Sequence, residues 1–91
     1  MELKELLREL HWIEWQLRTF EDRYGVRSED FFEAMEAGEL AEFDDIDDPH
    51  FRDFLKWHGL VKAWQYRHDT YHDLLERRSL LEQLRTAPIA A

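Results

Sequence analysis

The string HDTYHD, His68 to Asp73, is where the residue types come nearest to a known chemistry. On a helix, His68 and His72 stand one turn apart on the same face. Asp69 takes the place of the glutamate in H-E-x-x-H, where adjacent-turn imidazoles bind Zn²⁺ and the carboxylate acts as base. Three features weaken that reading. Aspartate is one methylene shorter than glutamate, no third ligand follows at a recognised offset, and His68 falls on an apolar stripe where a hydrogen-bonded core histidine is the usual occupant. The expectation is no metal site. A metal-binding protein or metal-dependent enzyme built on the His68-Asp69-His72 face is the alternative.

Other candidate chemistries fare worse. DDIDDPH, Asp44 to His50, invites a calcium loop, but counting from Asp44 puts Pro49 at the sixth position and Leu55 at the twelfth, where glycine and glutamate belong. There is no cysteine, which removes disulfides, thiolate ligands and cysteine nucleophiles together. Ser28 and Ser79 are the only serines, and neither has a histidine and carboxylate nearby in sequence. The three glycines are isolated, so no phosphate-cradling loop exists. No catalytic residue and no cofactor are expected, and the chain reads as a non-enzyme.

Charge carries more information. Of a net −9, residues 28–50 hold ten acids and no lysine or arginine, while the flanking segments are close to neutral. A block of one sign sets up a field directed at something positive. Arg77, Arg78 and Arg85 form only a small basic patch against it, so direct nucleic-acid binding is not expected. No apolar run approaches the ~20 residues needed to span a bilayer. The first residues, MELKELLREL, lack the uninterrupted apolar core of a signal peptide. A cytoplasmic protein without membrane association is expected.

These residues need elements to hold them. Leu3, Leu6, Leu10, Ile13, Leu17, Phe20 and Tyr24 recur at spacings of three and four, a heptad seam that predicts a helix over about 2–24. Gly25 can take the left-handed conformation that closes it. Ser28 then reads as the cap of a short helix over about 29–37, with Glu29 and Asp30 at its positive dipole end and Gly38 at its stop. Leu40, Phe43 and Ile46 read as buried anchors of the acidic connector. Asp48-Pro49 predicts the start of a second long helix over about 49–86, its seam running through Phe54, Trp57, Val61, Trp64, His68, Tyr71 and Leu75. Gly59 inside it predicts a kink or a close helix crossing. Residues 87–91 read as a flexible tail.

The fold expected is therefore all-α, one domain over 1–86: a long helical hairpin with a short connecting helix. Trp12 and Trp15 lie on the face of the first helix away from its seam. Each indole can bury ~150–250 Å². Either Phe31, Phe32 and Met35 fold over them or a second chain does, and a homodimer with a four-helix-bundle-like core, using Trp12 and Trp15 as its interface, is the preferred reading.

The strings EWQLRTFEDRYG (Glu14 to Gly25), SEDF (Ser28 to Phe31), AGEL (Ala37 to Leu40) and WHGL (Trp57 to Leu60) resemble those of small, poorly characterised bacterial and archaeal proteins of similar length. These helical proteins are proposed as antitoxin components of toxin–antitoxin pairs. The resemblance covers about residues 14–60, has no catalytic residues to transfer, and implies a helical neutraliser of a basic, ribonuclease-like companion. The residues point the same way through charge. Phe31, Phe32, Glu33, Glu36, Glu39, Phe43, Asp44 and Asp45 are the expected contacts with a basic protein partner, aromatic anchors within a charged rim. A structural assembly subunit is the remaining alternative.

Overall fold

The computed structural model describes residues 3–76 and 80–87 and is all-helical there. In chain order it contains α1 (Leu3–Tyr24), α2 (Ser28–Glu36), a single 3₁₀ turn (Ala41–Phe43), α3 (Phe51–Glu76) and α4 (Leu80–Thr86). Arg77, Arg78 and Ser79, which separate α3 from α4, and the tail from Pro88 lie outside the described residues. The expected helix over 49–86 is thus represented by α3 and α4.

The heptad seam of α1 is its buried face: Leu6, Leu10, Ile13, Leu17 and Phe20 are all buried. α3 runs back along it. Arg23 meets Asp53, Phe20 meets Trp57, Glu14 meets Trp64 and Glu9 meets Arg67, so each step back along α1 matches a step forward along α3. The two helices form an antiparallel hairpin, and α2 packs across its closed end. The molecule is a rod of 55 × 25 × 20 Å with a radius of gyration of 17.4 Å, against ~12 Å for a compact domain of this length.

Trp57 is the centre of the core and only 1 % exposed. Phe31 of α2 stacks on it at 3.9 Å with the rings nearly parallel, and Phe20 and Tyr24 of α1 stack at 5.6 and 5.7 Å. Burying such an indole contributes about 5 kcal/mol of gross transfer energy. Its ring N–H donates to Ser28 Oγ at 2.9 Å, which satisfies the one polar atom in the apolar cluster.

That bond revises the expected role of Ser28. Arg27 occupies the cap position of α2 without any side-chain cap, and Ser28 is the first helical residue, buried. Its backbone N–H donates to Glu21 Oε2 of α1 at 3.0 Å, so the free N–H of this helix end is satisfied by a neighbouring helix. The turns on either side follow expectation: Gly25 and Gly38 sit at φ +68° and +73°, left-handed positions where a Cβ would be strained.

Two other boundaries differ. α3 starts at Phe51 rather than Pro49, because Asp48 folds into a turn whose side-chain Oδ1 accepts the His50 N–H at 2.8 Å before the helix begins. α3 runs unbroken through Gly59, and no close crossing occurs there: a Cβ built on it meets nothing within 4 Å.

Two substitutions test this core by urea denaturation. Ser28→Ala strands the buried Trp57 N–H and should cost about 1–3 kcal/mol. Gly59→Ala removes a helix-propensity penalty without any clash and should stabilise by about 1 kcal/mol.

Candidate partner-binding surface

The acidic segment 28–50 wraps the closed end of the hairpin, and its aromatic and acidic residues separate to opposite sides. Phe31, expected as a partner anchor, is 4 % exposed and belongs to the core against Trp57 and Phe54. Phe32 is half-buried and stacks on His58 at 5.0 Å. Phe43, also half-buried, meets Phe54 and His50 edge-on at 5.3 and 5.5 Å. All three rings turn toward α3, because aromatic area is stabilised most where the hairpin already offers Trp57 and Phe54.

The carboxylates face the other way. Glu29, Asp30, Glu33, Glu36, Glu39, Glu42, Asp44, Asp45 and Asp47 are exposed. Among the described residues, one arginine–carboxylate pair reaches the segment, Arg27 to Asp30 at 3.0 Å. Glu36 meets His58 Nε2 at 2.9 Å, and Asp48 meets His50 Nδ1 at 3.0 Å. Glu33, Glu39, Asp44 and Asp45, four of the expected contacts, have no cationic partner in the described residues.

Sequence reasoning missed two features here. Ile46, expected to be buried, is 80 % exposed, an aliphatic side chain standing among Asp44, Asp45, Asp47 and Asp48. The signal was its flanking sequence, since four neighbouring carboxylates resist burial. The same connector borders an apolar cavity of about 180 Å³ whose lining includes Met35, Leu40, Phe43, Phe54 and Leu55, with Asp44. A second cleft, about 320 Å³, lies between α1, α2 and α3, where Glu14, Glu21 and Glu29 accompany Phe32 and Trp64.

Polar contacts fix the closed end from which this surface is displayed. Tyr24 Oη donates to Asp53 Oδ2 at 2.6 Å, and Arg23 Nη1 donates to the same oxygen at 2.7 Å. Burial, followed by the bond to Asp53, pushes the Tyr24 phenol up to about 12. The Tyr24 hydroxyl, and then Arg23, hold the Asp53 carboxyl below its ordinary value despite burial. Burial pushes Glu21 up, but hydrogen bonds from the hydroxyl and backbone of Ser28, with Arg18, outweigh it and leave that carboxyl lowered.

The other expected sites are placed as follows. His68 lies on α3 with its ring stacked on Trp64 at 4.4 Å and in edge contact with His72 at 4.6 Å. Asp69 is exposed. No cluster of three or more histidine, aspartate or glutamate side chains suited to a metal ion occurs among the described residues. Trp12 and Trp15 stack on each other at 5.5 Å on the outer face of α1 and are 61 % and 63 % exposed; Phe31, Phe32 and Met35 do not cover them. No helix of the described residues is long and apolar enough to cross a membrane.

Comparison with protein-family models, with curated proteins and with solved structures finds no match to this chain.

The pH dependence of stability follows from these shifts. The lowered Asp53 and Glu21 mean that the folded form binds fewer protons than the unfolded chain in acid. Stability is therefore lost as pH falls from the ordinary carboxylate range through their folded values. The raised phenol works in reverse: its contribution is complete below pH 10 and is lost as pH rises from 10 toward about 12. The thermal midpoint should fall across that alkaline window, and Tyr24→Phe should flatten the fall. An equally steep decline in the variant would place its cause elsewhere.

Proposed function

We propose that this chain is a non-enzymatic interaction module, cytoplasmic and dimeric with a four-helix core, whose acidic segment 28–50 binds and neutralises a basic protein in the manner of an antitoxin. The observation that carries the reading is the display of Glu33, Glu39, Asp44 and Asp45 in solvent with no ion pair to a cation among the described residues. Like charges held together without counter-charges raise the electrostatic energy of the free protein, and an incoming basic surface relieves it. Such a field also accelerates encounter, and the acceleration falls with salt.

Charge alone gives rate and register more than affinity, and an apolar anchor is needed for the latter. Phe31 is used in the core, so that role passes to Ile46, exposed within its ring of aspartates. The cavity lined by Phe43 and Asp44 accepts an apolar side chain, or the aliphatic stem of a lysine or arginine whose head meets Asp44. A basic surface suited to RNA phosphates presents such side chains, which supports the ribonuclease-like companion that the sequence resemblance implies.

The test is growth and binding. A small basic protein encoded by a neighbouring gene should arrest growth when expressed alone, and this chain should restore it. Glu33→Lys with Glu39→Lys and Asp44→Lys should slow association at least about tenfold at low salt, and Ile46→Asp should accelerate dissociation. Glu36 is left unaltered because it bonds His58. Full rescue by the triple variant would remove segment 28–50 as the contact. A neighbourhood without any basic protein would remove the antitoxin reading.

A further inference from the structure

The outer face of α1 leaves two indoles uncovered among the described residues, and its charges are ordered. Trp12 and Trp15 form its middle. At ~100° per residue, Lys4 and Asp22 lie along one flank of that pair and Glu5 and Arg23 along the other, while Arg8 and Thr19 lie near its midline. Lys4, Glu5 and Asp22 are exposed and have no ion pair among the described residues. Arg23 is half-exposed beyond its bond to Asp53.

We propose that this face binds a second copy of the chain, α1 against α1, antiparallel, about a two-fold axis passing between Trp12 and Trp15. The proposal rests on the dimeric reading above and adds its register. In that arrangement the four indoles meet at the axis, Trp12 of each copy beside Trp12 of the other and Trp15 beside Trp15. The two-fold keeps each flank on its own side and reverses its direction. Lys4 then lies beside Asp22 of the second copy, Glu5 beside Arg23 of the second copy, and each pairing occurs twice. The sequence supplies opposite charge at every one of these positions, which makes the face self-complementary.

A parallel pairing exchanges the flanks and sets Lys4 beside Glu5 and Asp22 beside Arg23, but it also brings both acidic 28–50 segments to the same end, whereas the antiparallel pairing holds them at opposite ends of the rod. Area agrees with a second copy as occupant. Four indoles exposed to this degree offer roughly 600 Å² in all, about half of the smallest stable interface, and the flanking residues along ~30 Å of helix supply the remainder. An acidic bilayer is a poor occupant, since the face carries both signs and the chain is −9 overall.

The experiment is sedimentation equilibrium at low salt on the full chain, with circular dichroism as a control for folding. The wild type should be a dimer. Lys4→Glu and Asp22→Lys should each weaken it about tenfold, because two attractions become two repulsions. The double variant should return to within about twofold of wild type. Trp12→Ala with Trp15→Ala should give a folded monomer. A monomeric wild type overturns both the dimer and the register. A wild-type dimer in which the double variant fails to recover overturns the register and leaves the dimer standing.

Discussion

The fold is held at one indole. Trp57 sits where α1, α2 and α3 meet, stacked by a ring from each of the other two helices and hydrogen-bonded through its N–H to the first residue of α2. Ser28 in turn donates its backbone N–H to Glu21 of α1. One side chain of α3 therefore fixes the position of α2 on the hairpin, and a carboxylate of α1 completes the link. An apolar residue of similar size at 57 would fill the space without specifying that link, since dispersion is not directional and a hydrogen bond is.

This arrangement determines what the acidic segment can display. Once Phe31 stacks on Trp57, the period of α2 places Glu29, Glu33 and Glu36 on the outside. Phe43 edging against Phe54 and His50 then holds the following connector close to α3 with its aspartates outward. The aromatic residues provide the attachment and the acids provide the surface. Neighbouring carboxylates on a short connector repel one another, and the ring contacts beneath them offset that repulsion.

Thickness is the second constraint. The rod is two helices deep over most of its length, so only one face of α1 is covered. Five of its seam positions, Leu6, Leu10, Ile13, Leu17 and Phe20, are buried. Trp12 and Trp15 point away from them, and no element among the described residues covers them.

Periodicity alone was enough to read α1, its buried seam, the glycine stops at Gly25 and Gly38, the central positions of the α3 seam and the concentration of charge in 28–50. All of these are local: they depend on residues within a turn or two of one another, which is the range over which helix geometry acts. The exposed carboxylates of the candidate surface were legible for the same reason. Tertiary structure decided the rest. Ser28 could have capped its own helix, but Trp57, twenty-nine residues on, claims its hydroxyl. Phe31 could have faced a partner, but the same indole offered a larger stacking area. Ile46 matched a buried anchor by type and stayed in water among its aspartates. Each outcome is a competition between partners distant in the chain, settled by helix register rather than by residue type.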